Sequence, residues 1–186
     1  MKVPLIPTLV VAVAVAIMIA LGFWQLDRRV EKEDMIARYS LALQEDGDVP
    51  FPRTQAEVPD RLYRYSTVTC AQVLSTRSTA SRNRKGTAGL AQVAECRLEG
   101  GGQAEIFLGF SSRLQPVDWP GGEVSGWIAP AGDDARLVAD PPQFGLSNLP
   151  IPDPTLLPNN HLAYAGQWFF FALTALVIYV MVLRKR

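Results

Sequence analysis

Two long apolar runs, one at each end of the chain, constrain its architecture more than any other feature of the sequence. The first extends from Val3 to Leu26 without a charged residue, and the second extends from Leu162 to Leu183. A helix needs about 20 apolar residues to cross the roughly 30 Å of hydrocarbon in a bilayer. We therefore predict transmembrane helices over residues 3–26 and 161–183, flanking an extramembrane domain over residues 27–160.

A cleaved signal peptide is the alternative interpretation of the first run, which follows a short basic start at Lys2. The apolar core of a signal peptide is only about 7 to 15 residues long, and a small-residue cleavage site follows it. Here the run is longer and closes with "LGFWQLDRR". We therefore expect the first run to remain as a membrane anchor.

The basic residues near the two runs predict the orientation of the chain. No Lys or Arg lies between Arg136 and Arg184, and the chain then ends in "LRKR". Basic residues favour the cytoplasmic side, so residues 184–186 are expected to form a cytoplasmic tail. Both termini are then cytoplasmic, in a protein of the cell inner membrane whose domain over residues 27–160 is exported to the periplasm. The basic residues after the first run, which lie among four carboxylates, argue the other way.

The predicted exported part is divided into segments that differ in amino-acid composition. Apolar residues at helical spacing up to about residue 45 predict an amphipathic continuation of the first helix. Short segments rich in β-formers follow, among them "RLYRYSTVTC", "AGLAQVAECRL", "AEIFLGFS" and "GEVSGWIAP". They predict a mainly antiparallel β-domain, a small barrel or sandwich. The basic stretch "STRSTASRNRKG" is interpreted as a solvated loop.

A proline-rich connector over residues 141–158 returns the chain to the membrane, since prolines favour extended backbone without ladder hydrogen bonds. Asn160 is then expected to cap the second helix and to place His161 in its first turn.

Composition and motifs exclude several functions. The formal net charge is zero, from 18 basic and 18 acidic residues, which is unfavourable for a nucleic-acid partner. His161 is the only histidine, so a histidine-based hydrolytic triad has one possible position, at the membrane surface. Asp133 and Asp134 lie in a turn-like "PAGDDA" and are expected to be solvated. With no phosphate loop, nucleophile elbow or zinc-ligand spacing, we do not expect an enzyme.

Both cysteines, Cys70 and Cys96, lie in the predicted exported domain, near the ends of two predicted strands. In an oxidising compartment such a pair can form a disulfide, which stabilises by about 3 to 4 kcal/mol in the chain-entropy model. Free thiols are the main alternative, and metal binding by two thiols is a weaker one.

One face of the second helix combines a possible metal ligand with small and aromatic residues. At 100° per residue, one stripe contains His161, Ala165, Trp168, Ala172, Ala175 and Tyr179, with Tyr164 at its edge. Small residues allow close approach by the other helix or by a flat ligand. A neutral imidazole with aromatic walls would suit a porphyrin, whereas an ordinary interfacial anchor is the plainer interpretation.

The two ends of the extramembrane domain carry motifs of a known family. "LGFWQLDR" and "NNHLAYAGQWF" are similar to Gly-x-Trp-Gln-Leu-x-Arg and Asn-x-His-Leu-x-Tyr-Ala-x-x-Trp-Phe of the Surfeit locus protein 1 family of cytochrome c oxidase assembly factors, and "YRYSTVTC" resembles a strand of that family. The middle departs from it: Cys70 stands where Gly is usual, Cys96 where Pro is common, and "LGFSSRLQP" replaces Arg-Gly-Trp-x-Pro.

The resemblance implies a non-enzymatic helper that binds haem a and delivers it to subunit I of the oxidase, together with other assembly factors. His161 matches the proposed iron ligand of that family. The other residues matched within the two end motifs are Trp24, Gln25, Arg28, Tyr164 and Trp168. A haem-independent scaffold that holds an assembly intermediate is the alternative, and an exported enzyme with an unrecognised site is a third.

Overall fold

The computed structural model describes residues 4–185, which divide into two compact units. The helix unit combines the start of the chain through Ala37 with the residues from Leu157 onward. The β unit is Arg38–Leu156. Residues 27–37, predicted as a helical extension of the first span, belong to the helix unit, and Arg38 begins the β unit.

The helix unit is formed mainly by two long helices. Helix α1 is Leu5–Ala42 and helix α3 is His161–Arg184, while the short helix α2 of the β unit is Val58–Arg61. The first apolar run and the amphipathic segment after it thus form one helix, and an Arg29 to Glu33 ion pair of 2.7 Å lies on its charged part. Both α1 and α3 are long and apolar enough to cross a membrane, which is consistent with membrane anchoring.

Asn160 occupies the position before α3, but the expected side-chain cap is wrong. Its side chain makes no capping hydrogen bond, and its φ of −89° and ψ of 6° are far from the extended conformation usual for that position. Extended backbone would turn the side chain towards the free amides of the first turn. His161 is nevertheless the first residue of the helix, as expected.

The β unit is built on five strands. They are β1 Tyr65–Arg82, β2 Ala88–Leu98, β3 Gln103–Ser111, β4 Gly122–Ala131 and β5 Asp134–Ala139. They pair in the order β1-β2-β3-β5-β4, and β4 pairs with β1, so the sheet closes on itself. Four pairings are antiparallel and the β3–β5 pairing is parallel. The prediction of a mainly antiparallel sheet is confirmed, although the sheet as a whole is mixed.

Two features of the sheet differ from the expectation. The basic stretch interpreted as a loop is largely strand, since β1 continues to Arg82 and pairs there with Ala88 of β2. Its side chains are mostly solvated, but the backbone is held by a long ladder. Strand β5 was missed, because it follows β4 after only Gly132 and Asp133, a two-residue connection in which Gly132 has a φ of +67°.

The core of the β unit lies inside the closed sheet. Its fully buried side chains include Ile106, Leu108, Ile128 and Leu137. A Cys70 to Cys96 disulfide joins β1 to β2 within this cluster, with 5.4 Å between the two Cα atoms. Of the alternatives open for the two cysteines, the structure contains the disulfide.

The proline-rich segment after β5 lies against the sheet. Its only helical piece is the 3₁₀ turn Pro154–Leu156, and Ser147 pairs with Phe110 as an isolated bridge. Leu149 and Pro154 are buried. The backbone of this connector is therefore tied to the sheet at separate points along it.

Candidate functional site

The two long helices contact each other along one stripe on each helix. On α3, every position of the stripe expected from the sequence is buried or half-buried: His161, Ala165, Trp168, Ala172, Ala175 and Tyr179; Phe169, Thr174 and Leu183 are half-buried outside it. On α1, the corresponding positions are Thr8, Val11, Val15, Met18, Gly22 and Gln25. Both stripes alternate steps of four and three residues, the spacing of a left-handed helix pair. Ala165 and Ala172, two small residues of the α3 stripe, are buried in the contact between the helices.

The helix pair is antiparallel and has a polar contact near each end. The hydroxyl groups of Thr8 and Tyr179 share a hydrogen bond at one end, and Gln25 contacts His161 at the other. A rise of 1.5 Å per residue places Thr8 and Gln25 about 25 Å apart along α1. The apolar length between the polar contacts is therefore close to the thickness of the hydrocarbon in a bilayer.

Near the contact of Gln25 with His161, a glycine of α1 lies directly against a ring of α3. A Cβ atom on Gly22 would lie 2.5 Å from the ring of Phe169, so any side chain there would displace that ring. Phe169 also makes an edge-to-face contact with Phe23, with 5.5 Å between ring centroids. The ring thus occupies the space next to Gly22, about one turn along α1 from Gln25.

His161 and Gln25 form a hydrogen bond between the helices. Nδ1 of His161 lies 2.8 Å from Oε1 of Gln25. Because an amide oxygen only accepts hydrogen bonds, this contact is a hydrogen bond in the tautomer that carries the proton on Nδ1, and a neutral ring in that tautomer keeps its lone pair on Nε2. An imidazole in this state can bind a metal ion through Nε2.

A second polar side chain lies beside this pair. The Asn159 side-chain amide donates to the backbone carbonyl of Arg29 at 3.5 Å, again between the start of α3 and α1. Its Oδ1 atom is buried and has no hydrogen-bond partner among the described residues. The polar end of the helix pair thus retains one unused acceptor near His161.

The other four residues matched to the family motifs have contacts or exposure of their own. Trp168 is on the α3 stripe, with an edge-to-face contact of 6.4 Å to Phe171. Trp24 and Tyr164 are 52% and 49% exposed and lie outside the stripes. Arg28 is exposed and pairs with Glu31 on its own helix. Of the six residues, the structure joins His161 and Gln25 directly.

Sequence reasoning missed the α1 stripe and the contacts of Gly22, Asn159 and Thr8. The signal was the alternation of four and three residues along α1. It is hard to detect because the helix is apolar on every side in this region, so hydrophobicity does not distinguish the contacting face.

The β unit has a cleft of about 450 Å³ with charged walls, and an enzymatic site in this unit would be expected there. Three of its four charged side chains have partners within the unit, and the fourth, Asp134, is exposed. Arg53 donates to the carbonyl of Glu99 at 3.2 Å, and Glu105 pairs with Arg77. Glu95 accepts from Ser75 at 3.0 Å. Within residues 4–185, no group of three or more His, Cys, Asp or Glu residues is placed to hold a metal ion.

In the β unit, the groups with shifted pKa values are three buried or half-buried tyrosines and two carboxylates. Burial raises the pKa of Tyr63, whose ring lies 4.9 Å from that of Tyr39, and burial also raises the pKa of Tyr39. Hydrogen bonds from the Thr155 hydroxyl and amide lower the pKa of Asp153. A hydrogen bond from the Arg53 backbone amide lowers the pKa of Glu57. All of these follow from packing or turn geometry.

Comparison with known proteins assigns the chain to a family. A search of curated proteins finds no match. The model of the SURF1 family matches residues 12–173, a span that begins within α1, includes every strand of the sheet and ends within α3. Because this match covers most of the chain, including both helices that form the His161 contact, the protein belongs to the SURF1 family.

Proposed function

We propose that this protein is an assembly factor for haem-copper cytochrome c oxidase that binds haem a transiently through His161 and helps to insert it into subunit I. The SURF1 family is known for cytochrome c oxidase assembly, which suggests interaction with oxidase components. Subunit I and other assembly factors are the proposed partners. No chemical transformation is assigned to the protein itself.

The proposed location is the inner membrane, which α1 and α3 span, with both termini in the cytoplasm and the β unit in the periplasm. The antiparallel contacts between the helices support two spans whose outer ends lie on the same side. The basic residues Arg184 and Lys185 directly follow the second apolar run, which favours a cytoplasmic end. A disulfide in the β unit agrees with an oxidising compartment.

The observation that carries the proposal is the hydrogen bond between His161 and Gln25. It leaves Nε2 as the free nitrogen of the only imidazole in the chain, and a haem iron takes such a nitrogen as an axial ligand. The exposed rings of Trp24 and Tyr164 provide apolar surface on both helices near this end. The residues present therefore fit a haem. When bound, haem a supplies the redox-active porphyrin that subunit I requires.

The chain offers few other ligands, which suits transfer better than storage. Met18 lies on the α1 stripe about two turns from Gln25, and Met181 lies near the far end of α3. Ligation by one residue favours faster release than ligation by two, because fewer bonds must break.

The scaffold alternative also has an observation in its favour. The α3 stripe, for which the sequence allowed either the other helix or a flat ligand, packs against α1, and Trp168 lies on that stripe. A haem would have to bind at the rim of the helix pair, near Trp24 and Tyr164. If no haem binds there, the helix pair and the β unit act only by holding an assembly intermediate.

His161→Ala tests the ligand. The variant should insert and fold, since His161 is only partly buried, but copurifying haem should be lost and the haem a content of the oxidase should fall. Asn160→Ala is the matched control, because Asn160 is exposed, adjacent and makes no capping bond. Wild-type haem occupancy and oxidase spectra in His161→Ala would reject the ligand role and favour the scaffold.

The orientation is tested separately with alkaline phosphatase fusions. The reporter should be active when inserted at Gly100, in the exposed turn between β2 and β3, and inactive after Arg186. The opposite pattern would reject the proposed orientation.

A further inference from the structure

The contact between the two helices assigns a role to a second residue. We infer that Gln25 is a positioning residue: it holds His161 in the tautomer that carries the proton on Nδ1, so that Nε2 is the nitrogen offered to a ligand. The importance of this tautomer for haem rests on the proposed function. The inference that Gln25 selects this tautomer is independent of the proposed function.

The contact joins an acceptor of Gln25 to one particular nitrogen of the His161 ring. The amide oxygen of Gln25 accepts, and the 2.8 Å separation from Nδ1 is that of a normal hydrogen bond. A free imidazole in water prefers the other tautomer, with the proton on Nε2 and the lone pair on Nδ1. A ring in that state would place two acceptors against each other at this contact. Gln25 therefore opposes the intrinsic preference of the ring.

Regular helices hold both partners of this contact. Both residues are on helices and on the facing stripes, 136 residues apart in sequence. About one turn along α1 from Gln25, the contact of Gly22 with Phe169 sets the helix spacing. The acceptor thus reaches the ring at a defined distance. Residues that orient a metal-binding histidine typically act through such a bond to its second nitrogen.

The neighbouring polar groups do not replace this contact. The Asn159 side-chain amide points to the carbonyl of Arg29, and the Arg29 side chain pairs with Glu33 on its own helix. Within the described part of the chain, Gln25 is the hydrogen-bond partner found for the His161 ring.

The chain's single histidine makes a direct test possible. Full-length protein labelled with [¹⁵N]histidine has one imidazole, and its two nitrogen shifts distinguish a protonated nitrogen from an unprotonated one. The spectrum is recorded in detergent at alkaline pH, where a free imidazole is neutral. In wild-type protein, Nδ1 should be protonated and Nε2 should not.

Three variants complete the test. Gln25→Leu removes the acceptor and should shift the tautomer towards the proton on Nε2. Gln25→Glu restores an acceptor of the same length and should return the proton to Nδ1. Gln167→Leu is the control, because it removes an exposed glutamine of α3 outside the contact stripe and should leave the wild-type spectrum.

A titration with ferric haem then measures the consequence for binding. Loss of an orienting partner typically weakens metal binding about 10- to 100-fold, so Gln25→Leu should bind haem at least about 10-fold more weakly. Gln25→Glu should bind within a few-fold of wild type.

The outcomes separate the two proposals. A wild-type spectrum with the proton on Nε2, or an unchanged tautomer in Gln25→Leu, overturns the positioning role. A shifted tautomer with unchanged haem affinity overturns its relevance to ligation. If haem binds neither wild type nor variants while the tautomer shifts as expected, the haem proposal fails and the tautomer control by Gln25 stands.

Discussion

Leucine residues have opposite environments in the two units of this protein. Leu108 and Leu137 of the β unit are completely buried, whereas Leu9 and Leu173 of the helix unit are 65% and 61% exposed. Burial of a leucine side chain stabilises a fold in water by roughly 1.5 to 3 kcal/mol. Most apolar side chains of the helix unit are exposed, so this unit gains little stability in water from burying them. Its apolar exterior is suited to hydrocarbon, while the β unit carries its own core.

The two units also use glycine and hydrogen bonds differently. The β unit satisfies its backbone through a closed ladder, and Gly126 allows β4 and β5 to lie close together. The helix unit satisfies its backbone within each helix, so the contact between helices depends on small residues and two polar pairs. Substitutions of the same chemical type should therefore have different effects in the two units.

The largest difference is expected for alanine in place of glycine. In Gly126→Ala, the new Cβ would lie 2.1 Å from the carbonyl oxygen of Val138 in β5, and backbone on both sides must move. The cost should exceed about 3 kcal/mol, the upper end for ordinary overpacking. Hydrogen exchange of the full-length protein in detergent should show lost protection of β4 and β5.

The matched control is Gly166→Ala in α3, where a Cβ meets nothing within 4 Å. Alanine should favour the helix there by about 0.5 to 1 kcal/mol, and protection should not fall. Equal loss of protection in the two variants would contradict the comparison.

A smaller difference is expected for truncation of leucine. Leu108→Ala leaves a cavity in the core of the β unit and should lower the free energy of unfolding of that unit by about 2 to 5 kcal/mol. Leu173→Ala changes an exposed position of α3 and should alter helix protection by less than about 0.5 kcal/mol. Urea titrations read by hydrogen exchange measure both. A large effect at Leu173 would show that its side chain has a partner of its own.

Loss of the disulfide should act on the β unit alone. Replacing Cys70 and Cys96 together with serine removes the cross-link, which should cost about 3 to 4 kcal/mol in the chain-entropy model. Hydroxyls placed at these buried positions add to that cost. Urea unfolding of the β unit should shift to lower concentration, with α3 and the part of α1 before Arg38 unchanged. Full alkylation of both thiols in native, unreduced protein would contradict the disulfide.

The smallest effect concerns pH at the surface of the β unit. The side-chain and amide hydrogen bonds from Thr155 lower the pKa of Asp153, so their stabilising contribution is present above the unfolded value of 3.8. It is lost as pH falls through the lower folded pKa. Thr155→Val removes the hydroxyl bond and should raise that pKa towards 3.8, while Thr155→Ser should keep it low. Carboxyl ¹³C shifts provide the measurement, and identical titrations in all three proteins would refute the assignment.

The predictable parts of this structure are those encoded over short stretches of chain. The two helices, the start of α3 at His161 and strand β2 follow from local composition and periodicity. The extension of β1 and the existence of β5 do not, because each depends on pairing with a partner strand. Polar residues such as those of β1 after Cys70 suit a loop or a paired strand equally well.

The sequence alone determined that the chain has two apolar helices around a β-rich segment, that His161 is its one imidazole, and that Gln25 stands at the end of the first apolar run. Only the tertiary structure decided that these two residues meet, that the stripe containing Trp168 faces α1, and that the sheet closes on itself. Local sequence restricts backbone conformation over a few residues. A contact across 136 residues depends on how complete elements pack, which no local pattern specifies.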